Sequence, residues 1–367
     1  MFAQMWTPDF KRRGTLPALS GKGTITLNGL GSFEVTVDGA DPAWARFGPG
    51  WRVTIHDERT GQIFHSGIPE QIKRSRTTRD DVTLVCVDEM HVLADMVTLP
   101  SPGKDSGSQD RAFWGAEGPA GNVIRDLVRA QIGTTAHKDY QARHLEVPAP
   151  QATGKTVKVQ TRYRNLLEEV AELAGAGGLN ARVVHTGTGQ RLDITQGRDL
   201  RRRVRLAEDT DSLAGFELEE RAPQVTEVIV GGVGEGANRK LWRVTGDRGE
   251  WGRNIVRFED RRATSDANEG RQAGDEIIRE NQAKTSITLD VVEPSQMRYG
   301  EAWGLGDTIT VDLADGSHVT DVVTEIEYEW GPTGRTITPT IGDPDSDPYM
   351  KKISDLARKL RDLQRSK

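Results

Sequence analysis

The chain has 367 residues, 35% of them hydrophobic and 28% charged, with 40 glycines and a formal net charge of −6. That length supports two or three domains with substantial cores and many turns, and the composition excludes a disordered or fibrous protein. The acidic balance speaks against duplex-DNA binding, which normally requires a clearly basic domain.

Residues 20–100 read as a run of short strands. Thr24–Leu27, Phe33–Val37, Trp51–Ile55, Gln62–Ser66 and Asp81–Val87 are rich in β-branched residues and are separated by turn formers such as Asp38-Gly39 and Thr60-Gly61. The only cysteine, Cys86, falls inside the last of these strands and reads as a buried thiol. One cysteine forms neither an intrachain disulfide nor a cysteine-based zinc cluster. Leu99–Gln109 has the composition of a linker.

The next hundred residues change period. Val123, Ile124, Leu127, Val128 and Ile132 recur at helical spacing before Gly133, and Leu166, Leu167, Val170, Leu173 and Ala174 do so before Gly175. A hairpin of Arg182–His185 and Arg191–Ile194 follows. From about residue 206 the β pattern returns: Phe216–Glu219, Thr226–Val230, Leu241–Thr245, Ile287–Val292, Asp307–Asp312, Val319–Trp330 and Arg335–Thr340. One mostly polar helix, about 267–283, interrupts it. No apolar run reaches the roughly 20 residues that span a bilayer. The first residues lack the apolar stretch of a signal peptide, so the expectation is a protein that folds in a cytoplasm.

Two segments resemble each other. Phe47–Asp57 and Trp303–Leu313 each place an aromatic-Gly-x-Gly ahead of a strand with a central threonine. Each continues through a turn glycine, Gly61 or Gly316, into a second strand, and Glu70 aligns with Glu325. The offset is 256 before the turn and 255 after it, so one residue is lost at the hairpin tip. Hairpins share general features, but aligned glycines together with Thr54/Thr310 and Glu70/Glu325 go further than that. Gly48, Gly50, Gly304 and Gly306 let the backbone turn sharply into a strand. A β-domain used twice in one chain predicts pseudo-symmetry, and three such chains would present six similar units.

At this point the sequence resembles a known family, the hub or minor tail proteins of long-tailed phages, especially those of actinobacteria. The resemblance is carried by Gly31–Val37 leading to Gly48-Pro49-Gly50, and by Arg164–Ala174 with its following hairpin. Val228–Gly236 ahead of an arginine, and Tyr299–Val311 ahead of Thr338–Gly342, carry it further. It covers about residues 15–345 and consists of spacing and glycines, with no catalytic signature. It implies a mainly β fold with an α+β insert, two similar tube-type β-barrel domains per chain as in a baseplate hub, and a C-terminal helix. The expected boundaries are 1–100 and 206–345 for the tube-like domains, 101–205 for the insert and 346–367 for the helix. It also implies a homotrimeric adaptor at the tail tip of the virion, assembled in the host cytoplasm. The expected neighbours are the distal tail protein ring, the tape measure protein and a receptor-binding protein, fibre or spike. Membrane and specific nucleic-acid partners are not expected.

The terminal helix has its own logic. Asp347 suits the cap and Pro348 the first helical position. Ile353, Leu356, Leu360 and Leu363 then follow at spacings of 3, 4 and 3, an a/d seam. About 20 residues are marginal as a lone helix, so the seam packs either in a three-chain coil or on its own domain.

Chemistry is thin. The seven histidines show no metal-ligand spacing. Gly231–Gly236 follows a strand as a phosphate loop does, but the residues after it read as a strand, and a phosphate cradle needs a helix N-terminus. The run Asp343, Asp345, Asp347 lacks the glycine and glutamate of a calcium loop. Basic runs at 73–79 and 198–205 read either as solvated loops or as contacts to an acidic neighbour. The expectation is therefore no catalytic residue, metal or cofactor. A tail-associated peptidoglycan lysin would need a carboxylate pair or metal site in the insert. A receptor- or carbohydrate-binding module would use Trp44, Trp51, Trp114, Trp242, Trp251 and Trp303 to stack on sugars.

Overall fold

The computed structural model describes all residues except 43–46, 208–211, 249–250, 263, 292, 294–296, 314–315 and 343–367. The N-terminal part contains β1 (Phe2–Trp6), β2 (Arg12–Leu16), β3 (Ala18–Thr26), β4 (Ser32–Asp38), β5 (Arg52–His56), β6 (Ile63–Arg76), β7 (Asp80–Asp88) and the short α1 (His91–Ala94). Phe33, Val35 and Val37 of β4, and Val82, Leu84 and Cys86 of β7, are buried while their neighbours are partly exposed. This is the period-two signature of a sheet with one covered face. Pro69 of β6 lacks an N–H and sits where the β6–β7 register shifts, which is where a strand tolerates proline.

The middle of the chain contains β8 (Trp114–Pro119), α2 (Ala120–Ile132), β9 (Leu145–Glu146), β10 (Thr156–Thr161), α3 (Leu166–Gly177), β11 (Asn180–His185) and β12 (Gln190–Thr195). The helical spacing read from the sequence buries Val123, Ile124, Leu127 and Val128 of α2 against Leu166, Val170, Leu173 and Ala174 of α3. Met90, Leu93, Ala181, Val183 and Leu192 complete that core. Asn165 caps α3, its side-chain oxygen accepting from the Leu167 and Glu168 N–H groups. Left-handed Gly178 ends the helix.

The remainder contains β13 (Arg205–Ala207), β14 (Leu213–Arg221), β15 (Glu227–Gly231), β16 (Leu241–Thr245), β17 (Val256–Asp260), α4 (Ala267–Glu280), β18 (Lys284–Val291), β19 (Thr308–Asp312), β20 (His318–Gly331) and β21 (Gly334–Gly342). The chain divides into two compact units. Among the described residues, one comprises Met1–Gly215 and Leu289–Pro339, the other Phe216–Thr288 and 340–342. In the second, β15 lies between β16 and β17, and Val225, Val228, Val230 and Ile277 form a small core beside Trp242 and Ile278. Gly270 and Gly274, one turn apart on α4, leave the space that Trp242 and Val244 fill.

The main sheet runs in the order β14-β18-β21-β20-β3-β4-β7-β6-β5-β1-β2, with β19 on β20 and β13 on β19. This path is open, and the described strands close no barrel. The fold is mainly β, as expected, and the two tube-type β-barrel domains are not seen as closed barrels among the described strands. Closure needs a partner for the terminal edges, and no described strand supplies one.

Candidate functional site

The two hairpins singled out in the sequence have matching geometry. β5 and β19 are both five residues long, and β6 and β20 are both fourteen. β5 begins 256 residues before β19, and β6 begins 255 before β20. At each entry, a turn carries a glycine carbonyl that accepts from the residue three ahead: Gly48 from Trp51 at 3.3 Å, Gly304 from Asp307 at 3.2 Å. The third residue of each turn has positive φ, +70° at Gly50 and +84° at Gly306, as a type II turn demands. A side chain at Gly50 would meet only Pro8, whereas one at Gly306 would collide with the Asn180 amide. Gly61 and Gly316 close the tips, both at positive φ. The equivalence extends to strand order, β3-β4-β7-β6-β5 in one copy and β14-β18-β21-β20-β19 in the other.

The surroundings of the two copies differ. In the first, Arg52 of β5 is 8% exposed and donates to Glu89 at 2.5 Å, and Gln190 donates to the same carboxylate oxygen at 2.5 Å. The Arg52 guanidinium stands 4.4 Å from the centre of the Phe10 ring. Thr54 accepts from the Trp6 indole at 2.8 Å and meets His56 at 2.8 Å. His185 packs edge-on against Trp6, and burial pushes its imidazole down to about 4, leaving it neutral at pH 7. Its Nδ1 accepts from the Gly187 N–H. Sequence reasoning missed this cluster. Its one visible signal was an arginine at the start of the strand Arg52–His56.

In the second copy, ion pairs to arginines that reach into solvent take the place of the buried cluster, one on the buried Asp307 and one on the more exposed Asp312. Arg198 makes a bidentate contact with Asp307, and Arg205 of β13 another with Asp312, each with a 2.5 Å bond. Thr310 donates to the Arg201 carbonyl at 3.0 Å. The basic run at 198–205 is therefore a clamp on the second hairpin. Part of the run at 73–79 is paired locally, Arg74 with Asp80 and Arg79 with Asp81.

Other candidate places hold no assembled chemistry. A depression of about 320 Å³ is lined by Asp57, Glu293 and Arg335 among others. Arg335 ties up both carboxylates there, at 3.1 and 2.7 Å. Burial works to raise the Asp57 carboxyl. Backbone donation from Thr60 and Arg59, with the charge of Arg335, outweighs it and leaves Asp57 low, which disfavours a proton donor. Among the described residues no cluster of metal-ligating side chains occurs. Gly231–Gly236 joins antiparallel β15 and β16, and Arg239 donates to the Gly231 and Gly232 carbonyls. Of the tryptophans, Trp303 is fully buried and donates to the Met297 carbonyl, while Trp251 is exposed. Trp44, the acidic run from Asp343 and the seam Ile353, Leu356, Leu360 and Leu363 lie outside the described residues.

The family model for Siphovirus ReqiPepy6 Gp37-like protein matches residues 2–343. The chain belongs to that family. No curated protein sequence matches it. Its fold is shared with three prophage and bacterial tail proteins of known structure. The 43 kDa tail protein of prophage MuSo2 from Shewanella oneidensis is 14% identical, with a TM-score of 0.60 over 93% of this chain and 98% of that one. The tail protein of Neisseria meningitidis MC58 is 11% identical, with a TM-score of 0.59 over 93% and 96%. The prophage tail protein gp18 of Listeria monocytogenes is 12% identical, with a TM-score of 0.55 over 98% and 100%.

Proposed function

We propose that the chain is a structural tail-tip protein of a siphophage, a homotrimeric hub that adapts six-fold symmetry on one side to three-fold on the other. The observation that carries this reading is the duplication. Two hairpins with equal strand lengths, equal entry turns and the same strand order mean that each chain brings two equivalent copies, and three chains bring six. The open strand path supports it too, since an open sheet is completed by neighbours. Family membership and the fold shared with prophage tail proteins point the same way.

In this reading residues 1–100 and 206–345 are the two tube-like parts, 101–205 the insert, and 346–367 a helix whose seam joins the three chains. The hexameric side meets the distal tail protein ring and the tape measure protein, and the trimeric side a receptor-binding protein, fibre or spike. The function is assembly, without turnover. Light scattering tests this on the full chain and on a chain lacking residues 348–367. A mass near three times the 40.4 kDa chain, weakened by the truncation, is expected. A single-chain mass in both at every concentration overturns the hub.

A further inference from the structure

Within the chain, the long strand of the second copy carries a neighbour that the long strand of the first lacks. Residues 318–322 of β20 pair with β19, and Glu325–Trp330 pair antiparallel with Gly21–Thr26 of β3. Tyr328 and Trp330 lie over Gly23 and Gly21, and Glu329 is opposite Lys22. In the first copy, β5 pairs with the start of β6, and β7 covers the other edge from Gly67 to Arg76. The edge of residues 70–76 that corresponds to the β3-bearing edge of β20 has no strand partner among the described residues, and all seven residues are exposed. At the other end of the sheet the situation is reciprocal. β14 occupies the place in the second copy that β3 occupies in the first. β18 covers one of its edges and no described strand covers the other, and Phe216–Glu220 are exposed.

Two observations say what covers these edges. The large apolar side chains Ile72, Phe216 and Leu218 are 52%, 39% and 40% exposed, and they fall on these two segments. The segments also carry opposite charge. Residues 70–76 hold Lys73, Arg74 and Arg76 against Glu70, and residues 216–221 hold Glu217, Glu219 and Glu220 against Arg221. Charges that serve only to blunt an edge against pairing need no complementary partner edge. Arg74 is already paired with Asp80 and Glu219 with Arg221, and the net charges of the two edges remain opposite in sign.

We propose that residues 70–76 of β6 in one chain add as an antiparallel strand to Phe216–Arg221 of β14 in a second copy. This repeats between chains the β20–β3 junction found within the chain. The inference rests on the hub reading and names its interface. The contact is head-to-tail, joining different patches on the two partners, so it generates a ring when the rotation closes. Main-chain hydrogen bonds provide the affinity, and the cross-strand charges set the direction.

The test is a charge swap in the full chain, with mass by light scattering and folding checked by circular dichroism. Lys73→Glu with Arg76→Glu reverses one edge, and Glu217→Lys with Glu219→Lys reverses the other. All four positions are exposed, so each variant should fold. Each pair alone is expected to weaken self-association on the order of tenfold or more, and the four together to restore it. A trimer indifferent to either pair overturns the edge pairing and leaves the hub standing. A wild-type chain that stays single at its highest soluble concentration overturns both.

Discussion

The first hairpin is held from inside and the second from outside. β5 is buried along its whole length, with Arg52, Glu89 and Gln190 sharing bonds out of solvent. β19 has half-buried ends, and its Arg205–Asp312 pair sits at the surface, while Arg198 reaches from solvent to the buried Asp307 just before the strand. The same turn and strand pattern is thus compatible with two anchoring chemistries of very different energetic weight. A buried pair that loses one member leaves an uncompensated charge, whereas an exposed pair is screened and entropically costly to hold. What the copies share is the backbone, as expected if the strand order is what assembly requires.

The sharpest way to break the comparison is to remove one member of each pair. Glu89→Ala strands Arg52 and should cost about 3–5 kcal/mol in urea unfolding. Asp312→Asn should leave the midpoint unchanged. Equal losses at the two sites would show that the buried cluster has no special weight. Acid titration sharpens the same contrast. His185 has its folded pKa lowered to about 4, below its ordinary value near 6.5, so the unfolded chain binds the proton first. Its contribution is complete above pH 6.5 and is lost as pH falls towards 4, by up to about 3 kcal/mol. His65, buried beside Tyr328 at 2.8 Å and likewise pushed down by burial, adds in the same direction. Thermal midpoints of His185→Gln should fall less than wild type across that window; parallel curves would remove His185 from the explanation.

The two entry glycines provide a finer cut. Gly50→Ala meets only Pro8, at an ordinary contact distance of 3.5 Å, and should cost only the left-handed strain, about 1–2 kcal/mol. Gly306→Ala adds the displaced Asn180 amide and should cost about 1 kcal/mol more. If the order is reversed in urea unfolding, the packing around the second turn has been misassigned.

The family and the mainly β fold were legible in the sequence because glycine turns, β-branched runs and helical periods are local signals. The ends of β5, β6, β19 and β20 follow the offsets of 256 and 255 visible in the residues themselves. β8 was not legible, since Trp114–Pro119 contains two glycines and a proline and becomes a strand only by pairing with β10. β1 was missed for a related reason: Phe2–Trp6 has no alternation, because β5 and β2 enclose it and nearly all of it is buried. The Arg52–Glu89–Gln190 cluster was invisible because its members are up to 138 residues apart and meet only through tertiary packing. The open edges of β6 and β14 were also out of reach, because exposure of a strand edge depends on which neighbours the topology withholds.

Electron microscopy of the purified full chain tests the trimeric hub most directly. Class averages should show rings with six similar densities and true three-fold symmetry, the six positions arising from two copies in each of three chains. Particles of one chain, or rings whose symmetry is not a multiple of three, would contradict it.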